Sequence, residues 1–214
     1  MEYIGIYELE IQFSDEALDQ ITEAKQRVVV QRWMDYGDSN VAWQSFKPFN
    51  HNRVVWNNSF GLFAASSFNQ DQAIFRVADV ASASKTHEYP LSDSGYFMTP
   101  DAARVKGYGV VNRYSEPAGM YFGATQIGEI NGKQIDSELN ATYVLYNNSA
   151  EFNPTNKAIV YLESDTKKGF PIFKVIGQPI VLDFGQASQH STNTTKSIFY
   201  DTNSGQFVEG TLPD

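Results

Sequence analysis

The chain has 214 residues, no cysteine, and 16 lysines and arginines against 25 aspartates and glutamates, a formal net charge of −9. That length suits one β-sandwich or barrel with a full core. The charge opposes nucleic-acid phosphates and anionic lipid headgroups at long range, and the missing thiols exclude disulfides, cysteine nucleophiles and cysteine-rich zinc sites.

The opening stretch alternates. Gly5, Tyr7, Leu9, Ile11 and Phe13 fall on one side and Ile6, Glu8, Glu10 and Gln12 on the other, the period of a half-buried strand. Ser14 then offers a capping hydroxyl ahead of Asp15 and Glu16, and Ala17, Leu18, Ile21 and Ala24 form one apolar stripe, so the pattern predicts a helix over about 15–26. Seven acids (Glu2, Glu8, Glu10, Asp15, Glu16, Asp19 and Glu23) precede the first base, Lys25, and read as a solvated edge. From Val28 onward β-branched and aromatic residues dominate. Strands are predicted over Val28–Trp33, Val41–Phe46 and Arg53–Ala65, separated by turn chemistry at 35–40 and 47–52, with Val54, Trp56, Phe60 and Leu62 on one covered face of the third. Asn131-Gly132, between two strand-like runs, is the sharpest hairpin signal, because Asn-Gly accepts the positive φ of a type I′ turn. Later strands are predicted over Ala158–Leu162, Pro171–Ile176, Ile180–Phe184, Ser197–Tyr200 and Gln206–Glu209, while Ala78–Pro100 and Ala187–Lys196, small and polar, read as mainly loop. There is no defensible internal repeat. The expected fold is mainly β: an antiparallel β-sandwich with one short N-terminal helix, forming a single domain over residues 1–214.

All three tryptophans, Trp33, Trp43 and Trp56, fall between residues 33 and 68 with Tyr36, Phe46, Phe49, Phe60, Phe63 and Phe68. On strand-like runs such a cluster reads first as core and second as a stacking platform for a sugar or a membrane-interface wedge. The loops between these strands supply the better binding candidates, Tyr36, Asp38, Asn40, Asn50, His51 and Asn52, since loop tips on a rigid sheet are where recognition is usually placed. His51, His87 and His190 are far apart and lack the spacing that presents two imidazoles to one metal. No phosphate loop, dinucleotide fingerprint, nucleophile elbow or H-E-x-x-H motif occurs, so neither a catalytic residue, a metal nor a cofactor is assigned. Asp201-Thr202-Asn203-Ser204-Gly205 resembles half a calcium loop but reads equally as a hairpin turn. Asp183 interrupts an apolar run and is expected to point outward, with Val181 on its side and Leu182 and Phe184 inward.

The leading expectation is a non-enzymatic recognition protein, lectin-like or toxin-like, that engages a carbohydrate or cell-surface ligand through sandwich loops. A pore-forming version would refold Val77–Ser94 on a membrane, although alternation there is poor. The alternatives are a sandwich hydrolase with a carboxylate or histidine pair assembled from distant loops, and a structural or assembly subunit. Nucleic acid is not an expected partner, whereas membrane contact and oligomerisation stay open. Glu2 stands where a secretory signal would carry a base, so the chain is expected in the cytoplasm as synthesised, or released without such a signal. The acceptor tripeptides at Asn57, Asn140, Asn147 and Asn193 carry little weight in that setting.

Overall fold

The computed structural model describes residues 5–35, 39–69, 72–103, 105–164, 167–172, 178–185 and 193–213. The alternating N-terminal stretch forms strand β1 (Ile6–Gln12), with Tyr7, Leu9 and Ile11 buried. Helix α1 (Asp15–Glu23) follows at once, capped by the Ser14 hydroxyl, which accepts from the Ala17 N–H at 3.1 Å. It ends short of the expected residue 26. Lys25 takes a φ of 54°, and the Lys25 and Gln26 N–H groups turn back to the Thr22 and Ile21 carbonyls, a Schellman closure with lysine where glycine is usual.

The remaining strands are β2 (Arg27–Met34), β3 (Gln44–Phe46), β4 (His51–Asn57), β5 (Gly61–Ala65), β6 (Arg76–Val80), β7 (His87–Leu91), β8 (Asp101–Ala102), β9 (Tyr108–Asn112), β10 (Gly119–Ile130), β11 (Lys133–Glu138), β12 (Thr142–Leu145), β13 (Ser149–Phe152), β14 (Pro154–Glu163), β15 (Ile180–Asp183), β16 (Asn193–Asp201) and β17 (Gln206–Glu209). A nine-stranded sheet runs β17-β16-β1-β4-β10-β5-β6, with β11 and β12 on the other flank of β10. Two four-stranded sheets, β13-β9-β7-β8 and β15-β14-β2-β3, complete the sandwich. Pairing among the described residues is antiparallel except for β1 with β16 and β7 with β9. The Asn-Gly hairpin forms as expected: Asn131 and Gly132 have φ of 49° and 84°, and Ile130 pairs with Lys133.

Several boundaries differ from the sequence expectation. Arg53–Ala65 is two strands, because Asn57 bends back on itself through the Ser59 N–H and the chain turns before Gly61. Val41 makes only an isolated bridge, to Pro171, and β3 begins at Gln44. The stretch 78–100, read as loop, contains the end of β6 and all of β7; its Pro90 is tolerated in β7 although proline cannot donate to a ladder. Of the expected strand at Pro171–Ile176, residues 173–176 lie outside the described residues. The same holds for 187–192 of the other expected loop, whose last four residues open β16.

One large cluster draws on all three sheets, with Leu9, Trp43, Trp56, Leu62, Phe122, Val160 and Phe184 among its buried members. Trp56 packs edge-on to Trp43 and Phe184, with ring centroids 5.7 and 4.9 Å away. A buried cation lies among these rings. The Arg32 guanidinium, without solvent exposure, sits 4.6 Å over Trp56 and 5.6 Å from Trp43, and its Nη2 donates to the Thr155 carbonyl at 2.6 Å. Burial pulls its pKa down to about 9.

On the opposite face of the nine-stranded sheet, Phe63, Ala65, Ile74 and Ala141 form a second cluster. Arg76 lies beside it, 6.0 Å from the Phe63 ring, and reaches Asp136 and Glu138 at 2.6 and 2.5 Å, tying edge strand β6 to β11.

Candidate functional site

A polar cup of about 530 Å³ opens where the nine-stranded sheet meets the β13-β9-β7-β8 sheet. Three segments build it. Asn58 and Ser59 come from the β4–β5 connection, residues 82–86 from the β6–β7 turn, and Tyr108 from the start of β9. Each segment is anchored by backbone bonds. The Ala83 N–H donates to the Phe60 carbonyl at 2.8 Å, the Thr86 N–H to the Gly107 carbonyl at 2.8 Å, and the Ala103 N–H to the Thr86 carbonyl at 2.9 Å. The Ser84 N–H also donates to the Tyr89 hydroxyl at 2.7 Å. Behind the wall, Gly61 is required by close approach, since a Cβ there would fall 2.6 Å from the Val80 carbonyl oxygen and on the Thr125 hydroxyl.

The turn is strained at one residue. Thr86 has a φ of 60°, in the left-handed region that a β-branched side chain resists, and such outliers concentrate at functional positions. Its hydroxyl donates to the Lys85 carbonyl at 2.6 Å, and His87 Nδ1 lies 2.8 Å from the same oxygen. A carbonyl only accepts, so that contact places a proton on Nδ1. Tyr108, buried, packs its ring at a tilt with its centroid 5.6 Å from that of Phe60 and forms one side of the cup. The described lining is thus serine and threonine hydroxyls, the Asn58 amide, one lysine and a phenol.

Those of the residues singled out from the sequence that the structure describes lie elsewhere. Tyr36 and Asp38 lie outside the described residues. Asn40 is a structural staple, its amide donating to the Ala141 carbonyl and its oxygen accepting from the Ala141 N–H, both at 2.9 Å. Asn50, His51 and Asn52 do come together at the entry to β4. There Asn50 donates to Asp15 at 2.7 Å, and the buried Asn52 exchanges bonds with Phe49 at 2.7 and 2.9 Å. His51 is exposed.

Of the tryptophans, Trp43 and Trp56 are interior, and Trp33 is 40% exposed on the far side of β2. Asp183 points outward beside the exposed Val181, with Leu182 and Phe184 buried; the Gly185 N–H and Lys157 hold its carboxyl below the usual range. Both Asp201 oxygens accept from their own turn, from Asn203 and Ser204, which is hairpin chemistry. Among the described residues no three His, Cys, Asp or Glu side chains gather as a metal site, and no helix is long and apolar enough to cross a membrane. His190 lies outside the described residues.

The cup went unseen in the sequence because its parts are distant in the chain. The one local signal was Ser82-Ala83-Ser84-Lys85-Thr86, a run of small hydroxyl residues around a lysine, which reads as generic loop. Comparison of the chain with known protein families, with curated proteins and with solved structures returns no match.

Proposed function

We propose that the chain is a non-enzymatic recognition protein that binds a carbohydrate in the cup between the β4–β5 connection, the β6–β7 turn and Tyr108. The observation that carries this reading is the lining itself: a cavity of about 530 Å³ walled by hydroxyls, an amide and a phenol, around a turn held in a strained conformation. Saccharides offer dense alternating donors and acceptors, and serine, threonine and asparagine side chains match them in kind. The volume falls within the range of about 300–1,000 Å³ typical of small-ligand sites. Each neutral hydrogen bond contributes only about 1 kcal/mol net, so a handful of them gives the weak affinity common for single sugar sites.

The test is a saccharide panel screened by saturation-transfer NMR against the folded chain, then against a Ser82→Ala/Ser84→Ala double variant. Binding in the millimolar to micromolar range, weakened about tenfold by the double substitution, supports the reading. No saturation transfer to any saccharide at millimolar concentration sinks it.

A further inference from the structure

Among the described residues, buried side-chain nitrogens and oxygens without a hydrogen-bond partner concentrate in one place. Six of these nine atoms belong to four residues around the Trp43–Trp56 pair: Arg32 Nε and Nη1, both amide atoms of Gln44, Trp56 Nε1 and Gln126 Oε1. Trp43 links the four. Its Nε1 donates to the Gln126 carbonyl at 3.1 Å, and its ring lies 5.7 Å from Trp56 and 5.6 Å from the Arg32 guanidinium. Its Cζ2 and the Gln44 Nε2 meet over Gly128, 2.5 and 3.5 Å from where a Cβ would stand. Buried polar groups are almost always satisfied, so a cluster of this kind points to a bound species that is not part of the chain.

Arg32 sets the charge of that species. A guanidinium carries five N–H donors and stays charged at neutral pH. The Thr155 carbonyl takes one of them at 2.6 Å, and among the described residues no carboxylate bonds to the rest, although a buried charge is normally paired. The tryptophan faces offset part of the cost of burial, and water can satisfy N–H groups, but neither supplies a countercharge. We infer that the Arg32 guanidinium holds a small inorganic anion, of the size of chloride, inside the sandwich beside the N–H groups of Trp56 and Gln44. Because Arg32 and Gln44 have no solvent exposure, the ion is enclosed as the sheets come together, which limits it to a small one. None of these four residues belongs to the described lining of the cup, so the site stands apart from the saccharide reading.

The full chain is refolded from urea in buffers of constant ionic strength, in which sodium gluconate, too bulky for such a site, is exchanged stepwise for sodium chloride. Constant ionic strength keeps screening the same throughout. An ion bound by the folded state alone stabilises it by mass action, so above its dissociation constant each tenfold rise in chloride should lower the unfolding constant about tenfold. Arg32→Met, which keeps a long side chain without its charge, should abolish that dependence, and Arg53→Met, which removes a half-exposed charge, should retain it. An unfolding constant indifferent to chloride overturns the inference, as does a dependence that survives Arg32→Met or is lost in Arg53→Met. Should Arg32→Met fail to fold, crystals of the wild-type chain grown in bromide decide. An anomalous peak within hydrogen-bond reach of the Arg32 guanidinium supports the anion, and water alone there overturns it.

Discussion

Among the turns that place non-glycine residues in the left-handed region, the β10–β11 hairpin and the β6–β7 turn do so on opposite terms. At the β10–β11 hairpin, Asn131 and Gly132 are the residue types that a type I′ turn asks for, and the Asn131 side chain is tied in by accepting from the Arg53 N–H at 2.7 Å. At the cup, the same backbone region is occupied by Thr86, whose branched Cβ opposes it. In the first turn the sequence and the backbone agree, and the result is a tight connection. In the second they disagree, and the strain is held by the bonds that shape the cup around Lys85. Agreement accompanies scaffold at the hairpin, and disagreement accompanies the candidate site at the cup.

The contrast can be broken most forcefully from behind the cup. Gly61→Ala would drive a Cβ into the Val80 carbonyl, a backbone group that cannot rotate away, and should cost about 3 kcal/mol of stability in urea denaturation along with ligand binding. A wild-type denaturation midpoint would mean that the wall yields and the cup is not rigid. Reciprocal exchanges at the two turns come next. Gly132→Val meets nothing within 4 Å, so only the backbone resists, and about 1–2 kcal/mol should be lost with saccharide binding intact. Thr86→Gly should move the other way, gaining about 0.5 kcal/mol once glycine's greater unfolded-state freedom is subtracted, while weakening binding. If it destabilises, Thr86 is packing and not strain.

The smallest effect lies at the hairpin end, where Arg53 grips Glu8 at 2.7 Å and approaches Glu129 at 3.4 Å. The hydrogen bond to Arg53 holds the Glu8 carboxyl below its usual range. A depressed folded pKa contributes stability that is present above the unfolded value and lost as pH falls through the folded one. The arginine is half exposed, so screening limits the contribution to about 0.3 kcal/mol. Glu8→Gln should therefore flatten the stability curve slightly between about pH 5 and 3 and barely change it at neutrality. Asp183 and Asp201 are shifted in the same direction and should keep the remaining acid slope. An unaltered slope would place Glu8 outside the acid response.

What could be read from the sequence follows the same division. The alternation of β1, the Ser14 cap and the Asn-Gly turn were legible because each encodes its structure within a few neighbouring residues. Strand β10, the longest, was not: its glycines 119, 123 and 128 weaken every strand signal. The structure shows why they are there. Side chains at 119 and 128 would collide with the Tyr143 and Trp43 rings, and one at 123 with the Asn140 carbonyl, so each glycine records a contact with a residue distant in sequence. Asn40 and Asn52 illustrate a related point, that a loop amide looks the same in sequence whether it is offered to a ligand or bonded to the chain's own backbone, as both are here. The cup needed Ser59, Lys85 and Tyr108 together, which no window of sequence contains.

The guanidinium of Arg32 has a consequence for the order of assembly. Its only described hydrogen-bond partner, the Thr155 carbonyl, lies 123 residues further along the chain. Withdrawing a lone cation from water costs several kcal/mol, and the tryptophan faces and that carbonyl that offset the cost are complete only once β14 has docked on β2. A slip of one residue between these strands would take Arg32 away from the Trp43 and Trp56 rings and the Thr155 carbonyl. During synthesis, which runs from the N-terminus, β2 must therefore stay hydrated until β14 emerges. The sandwich closes late, as a unit, and its long-range contacts favour slow folding.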